Sequence, residues 1–284
     1  MELKRLLNIK YIIIVCAALV LNIILFMFQA TAGGNKINED SKRDLRIRTE
    51  YIENYKSNIQ NIVDRAEKLK KQRLFSNPES FSYKNIIKTG KDYEKLININ
   101  LSADNSKAVR AISKYSMFIG ISAILTLLLM NNLFKERDNN MWQLTYMSKN
   151  GRAYLGLVRI ADIFIISLIQ HFLLYITVVF TSFILFGGLG DLYNPIQNIS
   201  EFGQCTLVIN KAEYLIADFL LTYLSVVVAT SIIYMLMNVF RNRKNVFRNL
   251  CVFTCAFICA FIFHQPLFLS NSSANSKDRT DYTP

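Results

Sequence analysis

The chain has 284 residues, of which 52% are hydrophobic, 12% aromatic and only 19% charged, and its mean hydropathy is positive. That balance excludes an ordinary soluble domain and suits an integral membrane protein. The formal net charge of +12 would suggest a nucleic-acid partner in a soluble chain. Here the basic residues flank apolar runs, so membrane topology accounts for them and no nucleic acid is expected.

A bilayer core takes about 20 largely apolar helical residues. The first such run is Tyr11 to Gln29, interrupted by Asn22 and preceded by Lys4, Arg5 and Lys10. Ala30-Thr31-Ala32 behind it has the small-residue character of a signal-peptide cleavage site. The run is longer than an ordinary signal core, so it reads as an uncleaved anchor. Cleavage within residues 1–32 is the alternative, and it would remove one span.

Residues 31–115 carry 18 Lys and Arg against 11 Asp and Glu. Long loops translocate largely regardless of charge, so this region is still expected outside. Ile52, Tyr55, Ile59, Ile62, Ala66 and Leu69 recur at helical spacing, with Glu53, Lys56, Asp64, Lys68 and Lys71 opposite. The pattern predicts a helix from about Ser41 to Arg73, stopped by Asn77-Pro78. A second helical stretch is expected from Ala103 into the next span, capped by Ser102 or Asp104 and continued by Lys107, Arg110 and Lys114. Such a domain contacts substrate, a partner, or anionic polymer or lipid through its basic face; the plain alternative is a solvated spacer.

Four more apolar runs follow: Ser116 to Phe134, Ile160 to Phe186, Ala217 to Phe240 and Leu250 to Ser270. Lys135, Arg137, Lys149, Arg152 and Arg159 separate the second from the third, and Arg241, Arg243, Lys244 and Arg248 the fourth from the fifth. Segment 189–216 has Lys211 as its one base. The alternation predicts a multi-pass protein of the cytoplasmic membrane, with a cytoplasmic N-terminus and an extracytoplasmic C-terminus. The fold class is therefore an all-α integral membrane protein, with about five transmembrane helices and a helical extracytoplasmic domain between the first and second. Its divisions are 1–30 (flank and first span), 31–115 (external domain), 116–270 (membrane block) and 271–284 (polar tail).

Candidate chemistry inside the spans is sparse. Asp162, near the cytoplasmic end of the third span, reads as a cap or a partner of Arg159. His171, about two turns deeper, reads either as a neutral residue satisfying a neighbouring helix or as part of a polar route. Gly187-Gly188-Leu189-Gly190 lacks a strand-helix setting and reads as a turn. Cys251, Cys255 and Cys259 share a helix face, which a soft-metal site could use, but they read better as small packing residues. No HExxH or CxxC motif is present, and neither metal nor cofactor is expected.

The polar island at residues 135–159 holds Glu136-Arg137-Asp138, then Met141-Trp142-Gln143-Leu144, then Ser148, Gly151-Arg152 and Arg159. Met141, Leu144 and Met147 share a helical face beside Trp142 and Tyr146, as in a short interfacial helix ending at Asn150-Gly151. The other reading is a solvated loop with interfacial aromatic residues. The arrangement resembles the cytoplasmic loop of ABC-2 type transporter permeases, in which an acidic-basic pair closes the second span and a coupling helix follows. That family often has Gly near the position of Asn140 and Lys where Arg159 stands. The order of one span, a long external loop and a membrane block also resembles the family.

The resemblance implies that Glu136, Arg137, Asp138, Met141, Trp142 and Leu144 dock a separate ABC ATPase. The absence of GxxxxGK[ST] agrees with a separate nucleotide site. It also implies a second permease copy or a paired permease, lipid contact, and peptide, antibiotic or other amphipathic cargo. The family usually has six spans, so the chain is expected to be partial or divergent. A membrane receptor or scaffold sensing a ligand through residues 31–115 is the competing class. An embedded enzyme fits poorly, because no compact nucleophile-base, carboxylate or metal set lies in a span.

Overall fold

The computed structural model describes residues 9–32, 41–72, 77–102, 106–138 and 151–239. Among them the α-helices are α1 (Ile9–Ala32), α2 (Ser41–Lys71), α3 (Phe81–Glu94), α4 (Lys107–Lys114), α5 (Met117–Asp138), α6 (Gly151–Phe186) and α7 (Lys211–Val239). Two short 3-10 turns, Ile196–Asn198 and Ser200–Phe202, lie between α6 and α7.

Among the described residues, three helices are long and apolar enough to cross a membrane: Ile9–Thr31 of α1, Ile160–Phe186 of α6 and Lys211–Ile232 of α7. Met117–Met130 of α5 meets the same test together with α4, across a bend of 47°. The described residues thus hold three candidate spans, or four if that bent pair is one span. The fifth run, Leu250 to Ser270, and the tail 271–284 lie outside the described residues. The chain is a multi-pass, α-helical membrane protein.

The structure divides into two compact units. One comprises Met1–Phe26, Tyr115–Val178 and Phe219–Pro284; the other comprises Met27–Lys114 and Val179–Asp218. In the second, α2 packs against α3. Tyr55, Ile59 and Leu96 are buried at the centre of that packing, with Tyr51, Ile62, Tyr93 and Ile97 around them. The face of α2 turned inward is the one its sequence periodicity predicts. Helix α3 went unforeseen, although its signals are local. Asn77 Oδ1 accepts from the Glu79 backbone N–H at 3.0 Å, and Ser80 Oγ caps the helix by accepting from the Tyr83 N–H at 3.2 Å. Tyr83, Ile86, Ile87, Gly90 and Tyr93 then repeat at helical spacing.

A second cluster in this unit joins Val109 of α4 to Ile196 and Ile199, with Phe202 and Tyr214 packed against it. Helix α6 ends in a turn, as expected: Gly187 takes a φ of 70°, a left-handed value that a β-carbon disfavours. The Gly188 N–H then reaches back to the Phe183 carbonyl at 2.9 Å, the long-range bond of a Schellman cap.

Candidate functional site: a polar seam within the first unit

Helix α6 has its polarity inverted relative to a helix of a soluble protein. Its buried side between residues 162 and 178 comprises Asp162, Ile163, Ile166, Ser167, Gln170, His171, Leu174, Tyr175 and Val178. Its exposed side over the same stretch carries Ile165, Leu168, Ile169, Phe172, Leu173 and Ile176. Water would penalise that exposed face, whereas lipid tails accept it, and the polar groups are left to find partners among helices. Helix α5 is the enclosed member of the unit: no residue from Met117 to Met130 is exposed.

His171 is fully buried. Its Nδ1 lies 3.3 Å from Ser122 Oγ on α5 and its Nε2 lies 3.1 Å from Thr222 Oγ1 on α7. The Thr222 hydroxyl donates its proton to the Phe219 carbonyl at 3.0 Å. An Nε2–H tautomer that donates to Thr222, with Nδ1 accepting from Ser122, satisfies both ring nitrogens alongside that bond. Phe118, Phe219 and Tyr223 stand around the imidazole, with ring centroids 5.4, 5.5 and 5.8 Å away. The Tyr223 hydroxyl also donates to the Phe164 carbonyl at 3.1 Å, a second tie between α7 and α6.

From the adjacent position, the Gln170 amide donates to the Tyr11 hydroxyl, which itself donates to the Leu125 carbonyl at 3.2 Å. The Oε1 of Gln170 is buried without a hydrogen-bond partner among the described residues. Asn22, the one polar interruption of the first apolar run, is fully buried. Its Nδ2 donates to the Leu174 carbonyl and to Thr177 Oγ1, each at 3.1 Å, and its Oδ1 accepts from the Tyr115 hydroxyl at 2.7 Å. Neutral hydrogen bonds thus join α1, α5, α6 and α7.

The structure brings His171 into this seam and places Asp162 on the same buried side of α6, toward its beginning. Glu136, Arg137 and Asp138 are the last residues of α5, and the docking positions Met141, Trp142 and Leu144 lie outside the described residues. Sequence reasoning missed Gln170, Tyr11 and Ser122. The signal available was spacing, because Ser167, Gln170, His171 and Leu174 recur every three or four residues. No group of His, Cys, Asp or Glu able to hold a metal occurs among the described residues. The seam can pair with polar groups and pack against rings.

The second unit contains a charged cluster that the sequence did not reveal. Glu201 meets Arg110 at 2.5 Å and Lys114 at 2.9 Å, tying the turn after α6 to α4. Burial of Glu201 raises its pKa, but the hydrogen bond from Lys114 and the charges of Arg110 and Lys114 outweigh that and hold the carboxyl below its ordinary value.

Protein-family models, curated proteins and solved structures give no match to this chain.

Proposed function

We propose that the chain is a permease subunit of an ATP-driven exporter of the ABC-2 type. It moves peptide, antibiotic or other amphipathic cargo across the cytoplasmic membrane, with a separate ABC ATPase hydrolysing the nucleotide. The observation that carries this reading is the inverted polarity of α6. A transport subunit needs a lipid-facing apolar surface around an interior whose polar pairs can exchange as helices shift. Side chains hydrogen-bonded across four helices supply such an interior.

The ends of α5 and α6 support the docking role of the island. Helix α5 continues through Glu136, Arg137 and Asp138, and α6 begins at Gly151, well before its apolar span starts at Ile160. Residues 139–150, with Met141, Trp142 and Leu144, therefore connect two helices that extend past their apolar stretches. An ATPase that changes shape on nucleotide binding would move this connection and, through α5 and α6, re-pair the seam. A second permease copy or a paired permease completes the route.

Purification from membranes in mild detergent tests the assignment. The expected result is co-purification of an ABC ATPase that charge reversal at Glu136 and Arg137 abolishes, with the membrane level of the chain unchanged. Retention of the ATPase after replacement of the whole 136–149 segment would sink the docking model.

The receptor or scaffold reading draws on a different observation, the separate core of α2 and α3. It predicts that a ligand binds the second unit with no ATPase recovered.

A further inference from the structure

Helix α3 carries a row of cations beside a groove. Lys84, Lys88, Lys91 and Lys95, together with Pro78, Tyr83, Ile87 and Asp92, line a cavity of about 390 Å³. All four lysines are exposed. Lys95 pairs with Asp92 at 2.9 Å. Among the described residues, no ion pair neutralises Lys84, Lys88 or Lys91.

Spacings of four, three and four residues keep the lysines on one side of the helix. At a rise of about 1.5 Å per residue, neighbouring charges are roughly 4.5–6 Å apart and the row is about 16 Å long. A compact anion meets two such lysines at most. A linear chain of anionic groups meets them in succession along the groove that Pro78, Tyr83 and Ile87 also line. Lysine acts as a point charge on a flexible stem, which suits a moving polymer better than a fixed bidentate ligand.

We propose that this groove docks an extended linear polyanion along Lys84, Lys88 and Lys91. The site shares no residue with the polar seam, and its assignment holds whether or not the chain is a permease. Binding of this kind depends on salt, because each neutralised charge releases counterions.

The test uses the full chain in nanodiscs of neutral phosphatidylcholine, with fluorescently labelled linear polyphosphate as the probe. The variant Lys84→Gln/Lys88→Gln/Lys91→Gln is compared with Lys56→Gln/Lys68→Gln/Lys71→Gln, which removes the same charge from α2. The groove variant is expected to lose at least about tenfold in affinity and to flatten the log-log salt dependence by about 2. The α2 variant should change affinity by less than about threefold. Equal losses in the two variants would reduce the effect to net charge and overturn the proposal. So would the absence of polyphosphate binding, or full competition by orthophosphate at equal phosphate concentration. Selective loss of binding to phosphatidylglycerol vesicles, with polyphosphate binding intact, would assign the row to a lipid surface and would also overturn it.

Discussion

The Tyr115 hydroxyl donates to Asn22 Oδ1 at 2.7 Å, across 93 residues of sequence, and both residues are buried. The same hydroxyl lies 3.2 Å from the Asn22 carbonyl. Phe26 meets the Tyr115 ring edge-on, with centroids 5.2 Å apart. The pair therefore fastens α1 to the start of α5 by a polar contact seated against aromatic packing. Tyr115→Phe keeps the packing and leaves Asn22 Oδ1 without this donor. A loss of about 1 kcal/mol is expected, with a coupling of about 0.5–1.5 kcal/mol in a double-mutant cycle with Asn22→Leu. Unfolding of the purified protein in mixed micelles measures both, and a coupling near zero would show that the contact contributes no stability.

His171 separates packing from hydrogen bonding. His171→Ala empties the space among Phe118, Phe219 and Tyr223 and is expected to cost about 2–4 kcal/mol. His171→Phe refills much of that volume, and the Thr222 hydroxyl keeps its bond to the Phe219 carbonyl. Its expected cost is about 1 kcal/mol. Comparison of melting temperatures in one detergent decides the point: Phe as damaging as Ala would mean that the two ring hydrogen bonds, rather than ring volume, hold α5, α6 and α7.

Two glycines of the second unit should respond oppositely to alanine. A β-carbon at Gly203 would collide with the Tyr51 hydroxyl, which donates to the Gln197 carbonyl at 3.0 Å. Gly203→Ala is expected to displace Tyr51 and cost about 1–3 kcal/mol. At Gly90, inside α3, a β-carbon would sit 3.5 Å from that of Ala66, an ordinary contact. Gly90→Ala is expected to stabilise by about 0.4–1 kcal/mol through helix propensity. Hydrogen exchange of α2 and α3 reads both effects, and faster exchange in Gly90→Ala would contradict the second.

Glu201 gives the second unit an acid dependence. Its folded pKa lies below the ordinary 4.5. The folded state therefore holds the carboxylate more tightly than the unfolded chain does. Stability from this group is fully present above about pH 4.5 and is lost as pH falls through the lower folded pKa. Arg110 and Lys114 are partly exposed, so the contribution is screened and small. Hydrogen exchange of α4 against pH should steepen below pH 4.5 in the native chain and flatten there in Glu201→Gln. Identical profiles would remove Glu201 as the cause.

How much of this protein can be read from sequence depends on whether a feature is local. The apolar runs of α1, α6 and α7 are visible because a helix needs only consecutive oily residues to span lipid. The inward face of α2 is visible because periodicity encodes it. The break at Tyr115 and Ser116 was not, since the helical stretch reads as continuing from Ala103 into the span while the bend is a matter of backbone direction. The polar island at 135–159 is legible as composition, and its docking role rests on resemblance.

Chain chemistry alone determined that the protein is helical, crosses a membrane more than once and carries isolated polar residues in its spans. Which polar residues meet was decided only by tertiary structure. Tyr11 and Gln170 are 159 positions apart, and Arg110 reaches Glu201 from a distant helix. Periodicity fixes the face of a helix on which a side chain sits, but leaves open which helix that face meets. That choice follows from packing, because a buried polar group in lipid or in a core must find its partner wherever the fold places one.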